Sequence, residues 1–378
     1  MKVCLLSSVH QALDNRVFYR EARTLARAGH EVTLVAVHPV DEVRDGVRIR
    51  GLPAVARWRR PASWRRLIGL ARASGAELFH FHDPELLPAA YLLRRATGRP
   101  TIYDVHEAYP EFIAVKDYLP AAVRYPLAGS FRLLEPPLAG LHDALVFADE
   151  ATPAAFRRLR RPSVVLPNFP DRELVAAGAA ELGTVSARPP VLLYLGGVER
   201  NRGSRLMVEA LALVRRQRPD AHLLVVGHFM PPALERELRR DAQQHGVGDA
   251  VEIVGRVPFA EIGRQLERAA VGWVPWQPYP KNQKNVPTKL FEYMAYGLPV
   301  VSSDLASTRP FLVDGATGRL VRADDPQAHA AAILEVLDDR EAAAAMGRRA
   351  RDEVVARLNW SAVEGRLLGL YDRLAAEV

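Results

Sequence analysis

Short apolar runs alternate along this chain with longer stretches in which hydrophobic side chains recur at helical spacing. That is the pattern of strands and helices taking turns in a parallel sheet. Residues 3–7 read as a buried strand, residues 16–28 as an amphipathic helix stopped by Gly29, and residues 31–37 as a second strand, together one βαβ unit. Further strands are predicted up to His82, at 101–107, at 144–147 and at 163–168. Residues 169–190 are rich in Ala, Gly and Pro and carry no strand pattern, which predicts a flexible hinge. The alternation resumes at 191–195, 221–226, 251–254 and 300–301, and an amphipathic stretch, 360–376, closes the chain.

Polar side chains gather where the predicted strands of the first half end, which is where open α/β sheets bind ligands. The turn after the first strand, SSVHQALDNR, lacks GxGxxG and so excludes a nicotinamide fingerprint there. It offers His10, Asp14 and Arg16 as acceptor or phosphate contacts, although Asp14 is also an ordinary turn residue. The segment FHFHDPE places His80, His82 and Asp83 at a strand end, with Asp83 expected near a helix cap and Pro84 in the first turn. His80 and His82 share a strand face without an evident third or fourth partner, so no metal is expected. The next strand ends in His106 and Glu107. Residues 109–139 carry many aromatic and aliphatic side chains. They read as a lid or acceptor-side subdomain, or as packing between helices, the latter being the expectation.

In the second half, a strand, Gly196-Gly197, Arg200, Arg202 and a helix from Ser204 compose an anion site: glycines admit close backbone approach, and guanidinium groups supply forked donors. Farther on, NVPTKLFEYMAYGLPVV predicts a loop closed by Pro287, a short amphipathic helix from Thr288, a stop at Gly297 and a buried strand. Lys289 and Glu292 fall on one face near the helix start. By itself such a pair is an ordinary surface ion pair. The whole string, however, resembles the donor-binding segment of family 4 glycosyltransferases, retaining enzymes of the GT-B fold, and the likeness runs over most of the chain.

That resemblance implies an α/β protein of two Rossmann-like doubly wound domains facing across a cleft. Residues 1–170 would be the acceptor domain, 171–190 a linker, 191–355 the nucleotide-sugar domain, and 356–378 a helix packing back on the first domain. It implies that Glu292 holds the ribose hydroxyls and that Lys289 lies beside the phosphates with Arg202. It places His106 beside the donor sugar, and the backbone at Arg256 and Val257 against the base. His106, Arg202 and Lys289 are the expected catalytic residues. Gly196, Gly197, Arg200, Arg256, Val257, Lys284, Asn285 and Glu292 are expected at the donor, and His10, Asp14, Arg16, His82, Asp83 and Glu107 on the acceptor side. The pattern is broken at three positions: Gly197 stands where the family usually has arginine, Arg202 where it has lysine, and Lys284 where it commonly has glutamate. An ammonium there cannot accept sugar hydroxyl protons. No cofactor is implied beyond a nucleotide-sugar donor, UDP- or GDP-linked, and no metal.

Composition narrows the setting. The 378 residues suit two domains, and 49% hydrophobic with 25% charged residues indicates globular packing. The single cysteine, Cys4, excludes an internal disulfide and fits a reducing, cytoplasmic setting. A net charge of +7 favours acidic ligands or an anionic surface. Residues 57–72 interleave Arg57, Arg59, Arg60, Arg65, Arg66 and Arg72 with Trp58 and Trp64, which is the composition of a helix lying on the inner face of a membrane or of a solvated basic face. No nucleic-acid module is present. The expected activity is sugar transfer with retention to a glycan, a lipid-linked glycan or a small molecule, in glycan or glycosylated-metabolite biosynthesis. Alternatives are an epimerase or hydrolase of nucleotide sugars on the same fold, and a silent nucleotide-sugar-binding subunit.

Overall fold

The computed structural model describes residues 1–56, 59–179 and 185–376. Arg57 and Trp58 of the basic segment, part of the 171–190 segment and the last two residues lie outside them. The chain divides into two compact units, residues 1–168 with 360–378, and residues 169–359.

In the first unit β1 (Lys2–Gln11) leads through a π-helical turn, Val17–Ala22, into α1 (Arg23–Arg27), where Gly29 adopts positive φ and ends the helix. Then follow β2 (Glu31–Val37), β3 (Glu42–Arg44), β4 (Val47–Leu52), α2 (Arg60–Ala73), β5 (Leu78–His82), α3 (Leu87–Thr97), β6 (Thr101–Val105), α4 (Tyr109–Ala114), α5 (Ala121–Ala139), β7 (Ala144–Phe147), α6 (Pro153–Phe156) and β8 (Ser163–Val165). They build an eight-stranded sheet in the order β3-β4-β2-β1-β5-β6-β7-β8, parallel except for β3. Strands β5, β6 and β7 are buried along their whole length, as strands covered on both faces by helices must be. Cys4 lies in this core, where burial pushes its thiol up to about 12 and leaves it a packing residue.

Two readings of this unit are corrected. Trp64 and Ile68 of α2 pack against the core instead of facing outward, while Arg59, Arg65, Arg66 and Arg72 are exposed. Much of the apolar content of α5 is not interhelical packing either, since Val123, Leu127, Leu133, Leu134 and Leu138 are exposed.

The second unit holds α7 (Arg172–Ala177), β9 (Val191–Leu195), α8 (Ser204–Arg215), β10 (His222–Val226), α9 (Ala233–Gln244), β11 (Val251–Gly255), α10 (Ile262–Glu267), β12 (Val271–Val274), α11 (Pro280–Lys284), α12 (Thr288–Ala295), β13 (Val300–Ser303), β14 (Arg319–Val321), α13 (Pro326–Asp338) and α14 (Arg340–Ala356). Its six strands run parallel in the order β11-β10-β9-β12-β13-β14, a doubly wound sheet whose strand order reverses between β9 and β12. The final helix, α15 (Glu364–Ala375), belongs to the first unit. There Tyr371 meets His80 at 2.8 Å, and Trp360 donates to Thr24 at 2.8 Å.

The segment read as a hinge is anchored where it is described. Asp171 caps α7, and Arg351 of α14 donates to Val175 at 2.8 Å and to the Ala295 carbonyl that ends α12. Helix α12 is not amphipathic in place: every residue from Lys289 to Ala295 is buried, because strands cover one side and α14 the other. Gly347 of α14 allows that approach, since a Cβ there would meet the Gly297 carbonyl.

Candidate functional site

In the second unit, the polar side chains singled out from the sequence converge at the carboxyl ends of β9 and β12, at the reversal point. Gly196 leaves β9 at φ +96°, and Gly203 opens α8 at φ +85° with its Cα so close to Pro275 that any side chain would collide. Between them Arg202 folds back. Its guanidinium pairs with Glu199 at 3.0 Å, donates to the Gly197 carbonyl at 3.3 Å and lies 5.3 Å from the Trp276 ring. A side chain at Gly197 would press on this guanidinium, so glycine, in place of the family's arginine, leaves room for Arg202.

Lys289 enters from α12. That helix is fixed to the same strand end by Tyr293, whose hydroxyl accepts from Leu195 N–H at 2.9 Å and donates to the Leu193 carbonyl at 3.0 Å. The Lys289 ammonium stands 3.5 Å from the centre of the Tyr194 ring and has no hydrogen-bond acceptor among the described residues, although the side chain is buried. Burial, and then the charge of Arg202, hold it well below the ordinary lysine range, against the opposite pull of Glu292 and Glu199. A buried cation without an acceptor is costly unless an anion completes it.

Other candidates fall differently. Glu292 is buried within this cluster, and Asn285, seven residues earlier, is buried with its Oδ1 lacking a donor among the described residues. Arg256 is exposed and Val257 half-buried at the end of β11. Arg256 and Arg202 both lower His228 further after burial has done so, and its ring lies beside Gly197. Arg200 is corrected: its guanidinium grips Glu237 of α9 through two nitrogens, the longer contact 2.7 Å, and it lines a groove of about 530 Å³ between α8 and α9 instead of the glycine turn. The loop expected around Lys284 is helix α11, which Lys284 ends, half-buried.

Sequence reasoning missed Tyr194, Glu199, Trp276, His228 and Asn282. Asn282 is fully buried, and its amide donates to the carbonyls of Asn201 at 2.7 Å and Gln277 at 2.9 Å, tying α11 to the arginine turn. The PYPKNQKN string held no signal for this beyond an asparagine in a polar loop.

In the first unit the reversal lies between β1 and β5, and the histidines meet there. His10 bridges two carboxylates, Asp14 at 3.3 Å and Asp83 at 3.2 Å. Asp83 sits at φ +79°, strained for a non-glycine residue, and it does not cap the following turn. Its carboxylate serves His10, and the Ser7 hydroxyl donates to it at 3.3 Å. His106, nearly enclosed, shares a 2.9 Å hydrogen bond with His82, and its ring lies tilted against that of His10, the ring centres 4.9 Å apart. Burial lowers His106, and Asp104 does not reverse it. Glu107 is half-buried.

Two acceptor-side expectations are corrected. Arg16 points inward, donating to Asp104 at 3.0 and 3.1 Å, to the Leu166 carbonyl at 2.7 Å and to Asn168 at 2.9 Å, and His82 is wholly buried. Neither is available to a ligand. The reading that His80 and His82 lack a third or fourth partner is corrected too. Glu21 and Asp104 join His80 and His82 with ligand-type atoms all within 4.8 Å of one another. Arg16, 3.0 Å from both carboxylates, is the cation inside this group. Burial and the Asp104 charge raise Glu21 well above the ordinary range despite Arg16, so the ionised carboxylate paired with Arg16 is Asp104.

The His10 clamp predicts a pH dependence. Burial alone would lower His10, but Asp83 and Asp14 outweigh it and raise it well above its ordinary value, while both aspartates are lowered. A raised histidine contributes stability in full below its unfolded pKa and loses it as pH rises through the folded one. The lowered aspartates contribute above their unfolded pKa and lose it in acid. Urea midpoints of the protein and of His10→Asn are therefore expected to differ most in mildly acidic solution and to converge at both extremes. A constant difference from pH 5 to 10 would contradict the clamp.

Comparison with known proteins agrees with this geometry. Residues 15–169 match the family described as "Glycosyl transferase 4-like domain", and residues 189–339 match "Glycosyl transferases group 1". The phosphatidyl-myo-inositol mannosyltransferase of Mycolicibacterium smegmatis is 27% identical over 367 residues, covering 94% of this chain and 88% of that one. The glycogen synthase of Mycobacterium tuberculosis is 29% identical over 177 residues, 46% of this chain and 40% of its own. Among solved structures, sucrose-phosphate synthase from Thermosynechococcus elongatus superposes with a TM-score of 0.79 at 23% identity, each chain wholly covered. Anabaena HepE in complex with UDP-glucose superposes with a TM-score of 0.75 at 14% identity, covering 99% of this chain and 100% of that one. With a doubly wound sheet in each unit and family matches over both, this chain belongs to the group 1 (GT4) glycosyltransferases of GT-B fold, retaining enzymes that use nucleotide-sugar donors.

Proposed function

We propose that the second unit binds a UDP- or GDP-sugar and that the first presents the hydroxyl of an acceptor glycan, lipid-linked glycan or small molecule. The observation that carries the donor reading is the buried Lys289 ammonium, without an acceptor and beside Arg202 at the sheet's reversal point. Arg202 and Lys289 take up the negative charge that develops on the leaving diphosphate as the glycosidic bond breaks. Glu292 holds the ribose, the backbone at Arg256 and Val257 meets the base, and Asn285 faces the donor. His106 lies against the donor sugar, while His10, Asp14, Asp83 and Glu107 receive the acceptor's hydroxyls. The leaving phosphate takes the acceptor proton, so no pair of carboxylates and no metal is required.

The UDP-glucose complex of HepE supports a uridine donor, and the lipid named in the mycobacterial mannosyltransferases supports a lipid-linked acceptor. With an acceptor of that kind the enzyme works at the cytoplasmic face of a membrane, in glycan or glycosylated-metabolite biosynthesis. No described helix is long and apolar enough to cross a membrane.

The test is a panel of UDP-, GDP-, ADP- and dTDP-sugars incubated with and without a lipid-extract acceptor and read by mass spectrometry. One sugar unit gained by an acceptor is the expected result and names the donor. Donor loss independent of acceptor would favour an epimerase or hydrolase. Saturable binding of intact donor would favour a silent subunit.

A further inference from the structure

Helix α5 presents an apolar face that nothing in its own unit covers. Val123, Leu127, Leu134 and Leu138 recur at helical spacing, Leu141 continues the row, and all are between 38% and 58% exposed; Leu133, at 75%, stands beside them. From Val123 to Leu141 this row extends about 27 Å at the helical rise. Isolated exposed leucines need no explanation, but a continuous row does.

Cations outnumber acids around the row, and Arg132 of the helix pairs with Glu111 of α4 at 3.2 Å. From Tyr118 to His142 the one acidic residue is Glu135, and it is buried, accepting from the Tyr103 hydroxyl at 2.8 Å. Where α5 ends, the chain returns beside it: Arg161 donates to the Gly140 carbonyl at 2.9 Å, and Leu159 lies against Gly140. Leu159 belongs to the run Arg157-Arg158-Leu159-Arg160-Arg161, whose four arginines are all exposed. An apolar row flanked at one end by clustered cations fits one kind of partner, a bilayer with anionic headgroups, in which the leucines enter the acyl boundary and the guanidiniums meet phosphates. A second copy of the chain fits poorly, because a two-fold contact would set like patches, arginines included, against each other.

We infer that the α5 face and the Arg157–Arg161 run form the surface by which this enzyme docks on an anionic membrane. This rests on the membrane setting proposed above but moves the attachment. Helix α2 turns Trp64 and Ile68 inward and offers charge without an exposed apolar row, so it contributes general attraction and α5 contributes insertion.

The experiment is flotation of the full-length protein with vesicles of phosphatidylglycerol and phosphatidylcholine in equal parts, against phosphatidylcholine alone. The protein is expected to float with the anionic vesicles. Replacing Leu133 and Leu134 together by glutamine should reduce partitioning about tenfold or more, since each leucine removed from the acyl boundary carries a substantial transfer free energy. Melting should stay unchanged, because both side chains are exposed. Arg158→Ser with Arg160→Ser should weaken binding and flatten its salt dependence, whereas Arg65→Ser with Arg66→Ser should leave most of it. Flotation of the leucine variant equal to that of the unaltered protein would overturn the α5 assignment while keeping the membrane setting. Failure of the unaltered protein to float would overturn both. A lipid-independent dimer that the leucine variant dissociates would assign the face to a second copy.

Discussion

Lys289→Met is expected to lower kcat/KM for the donor about a thousandfold, the scale of losing one positioned charge from a water-poor site where negative charge develops. The same change should leave the melting temperature unaltered or raise it. The two outcomes share one cause. Lys289 is buried against Tyr194 and Trp276 with no acceptor for its ammonium, so the fold bears a desolvation cost that the reaction uses. Methionine keeps the length and the ring contacts and removes the cost. A surface lysine would behave oppositely, giving little change in either quantity. Donor binding should also draw a proton from solvent, because a diphosphate beside Lys289 favours the ammonium that burial and Arg202 disfavour. Calorimetry of UDP binding above neutral pH, in buffers of different ionisation enthalpy, would show uptake, and Lys289→Met should reduce it. His228, also held low, accounts for what remains. A variant with kcat/KM within a few-fold of the original would remove Lys289 from the donor site.

This site was legible in part. The KLFEYMAYG string announced Lys289 and Glu292 by resemblance, and the apolar runs before Gly196 and after Gly297 placed both on a buried sheet. What the string could not convey is that Lys289 is enclosed. Its spacing from Glu292 is that of an exposed pair, and the enclosing rings, Tyr194 on β9 and Trp276 in the loop after β12, neighbour α12 only after the sheet forms. Arg200 and Arg202 look equivalent in sequence, yet the tight turn ending at Gly203 sends one to Glu237 and the other to Glu199. Strands β3 and β4 escaped notice because β3 is a short edge strand and β4, next to it, alternates arginines with apolar residues in VRIRGL, a weak strand signal in a basic chain. The exposure of α5 was unreadable for the opposite reason: an apolar helix looks like a packed one until its neighbours are known.

The largest effect on stability is expected from a residue that carried no signal at all. Asp104 lies on β6 within the run TIYDV, where a carboxylate in a buried strand has no local partner. Its partner is Arg16, 88 residues earlier, held at 3.0 and 3.1 Å, with His80, His82 and His106 all within 3.7 Å of its oxygens. Asp104→Ala leaves the Arg16 guanidinium buried beside the disfavoured Glu21 carboxylate, and breaking a buried pair in this way costs about 3–5 kcal/mol. In a unit of this size that lowers its melting by roughly 10 °C. Asp104→Asn, which keeps the shape and a hydrogen-bonding oxygen, should fall between. His106→Ala is the informative contrast. That side chain carries no ion pair as short as that of Arg16 with Asp104 and is 11% exposed, so its removal should lower the melting temperature less than Asp104→Ala does while reducing kcat by about a hundredfold or more, if it borders the donor sugar as proposed. Parallel losses of stability and rate in both variants would make the histidine cluster purely structural. Separation of the two losses would divide it between Asp104, which holds β6 and the Arg16 turn together, and His106, which the scaffold presents to substrate.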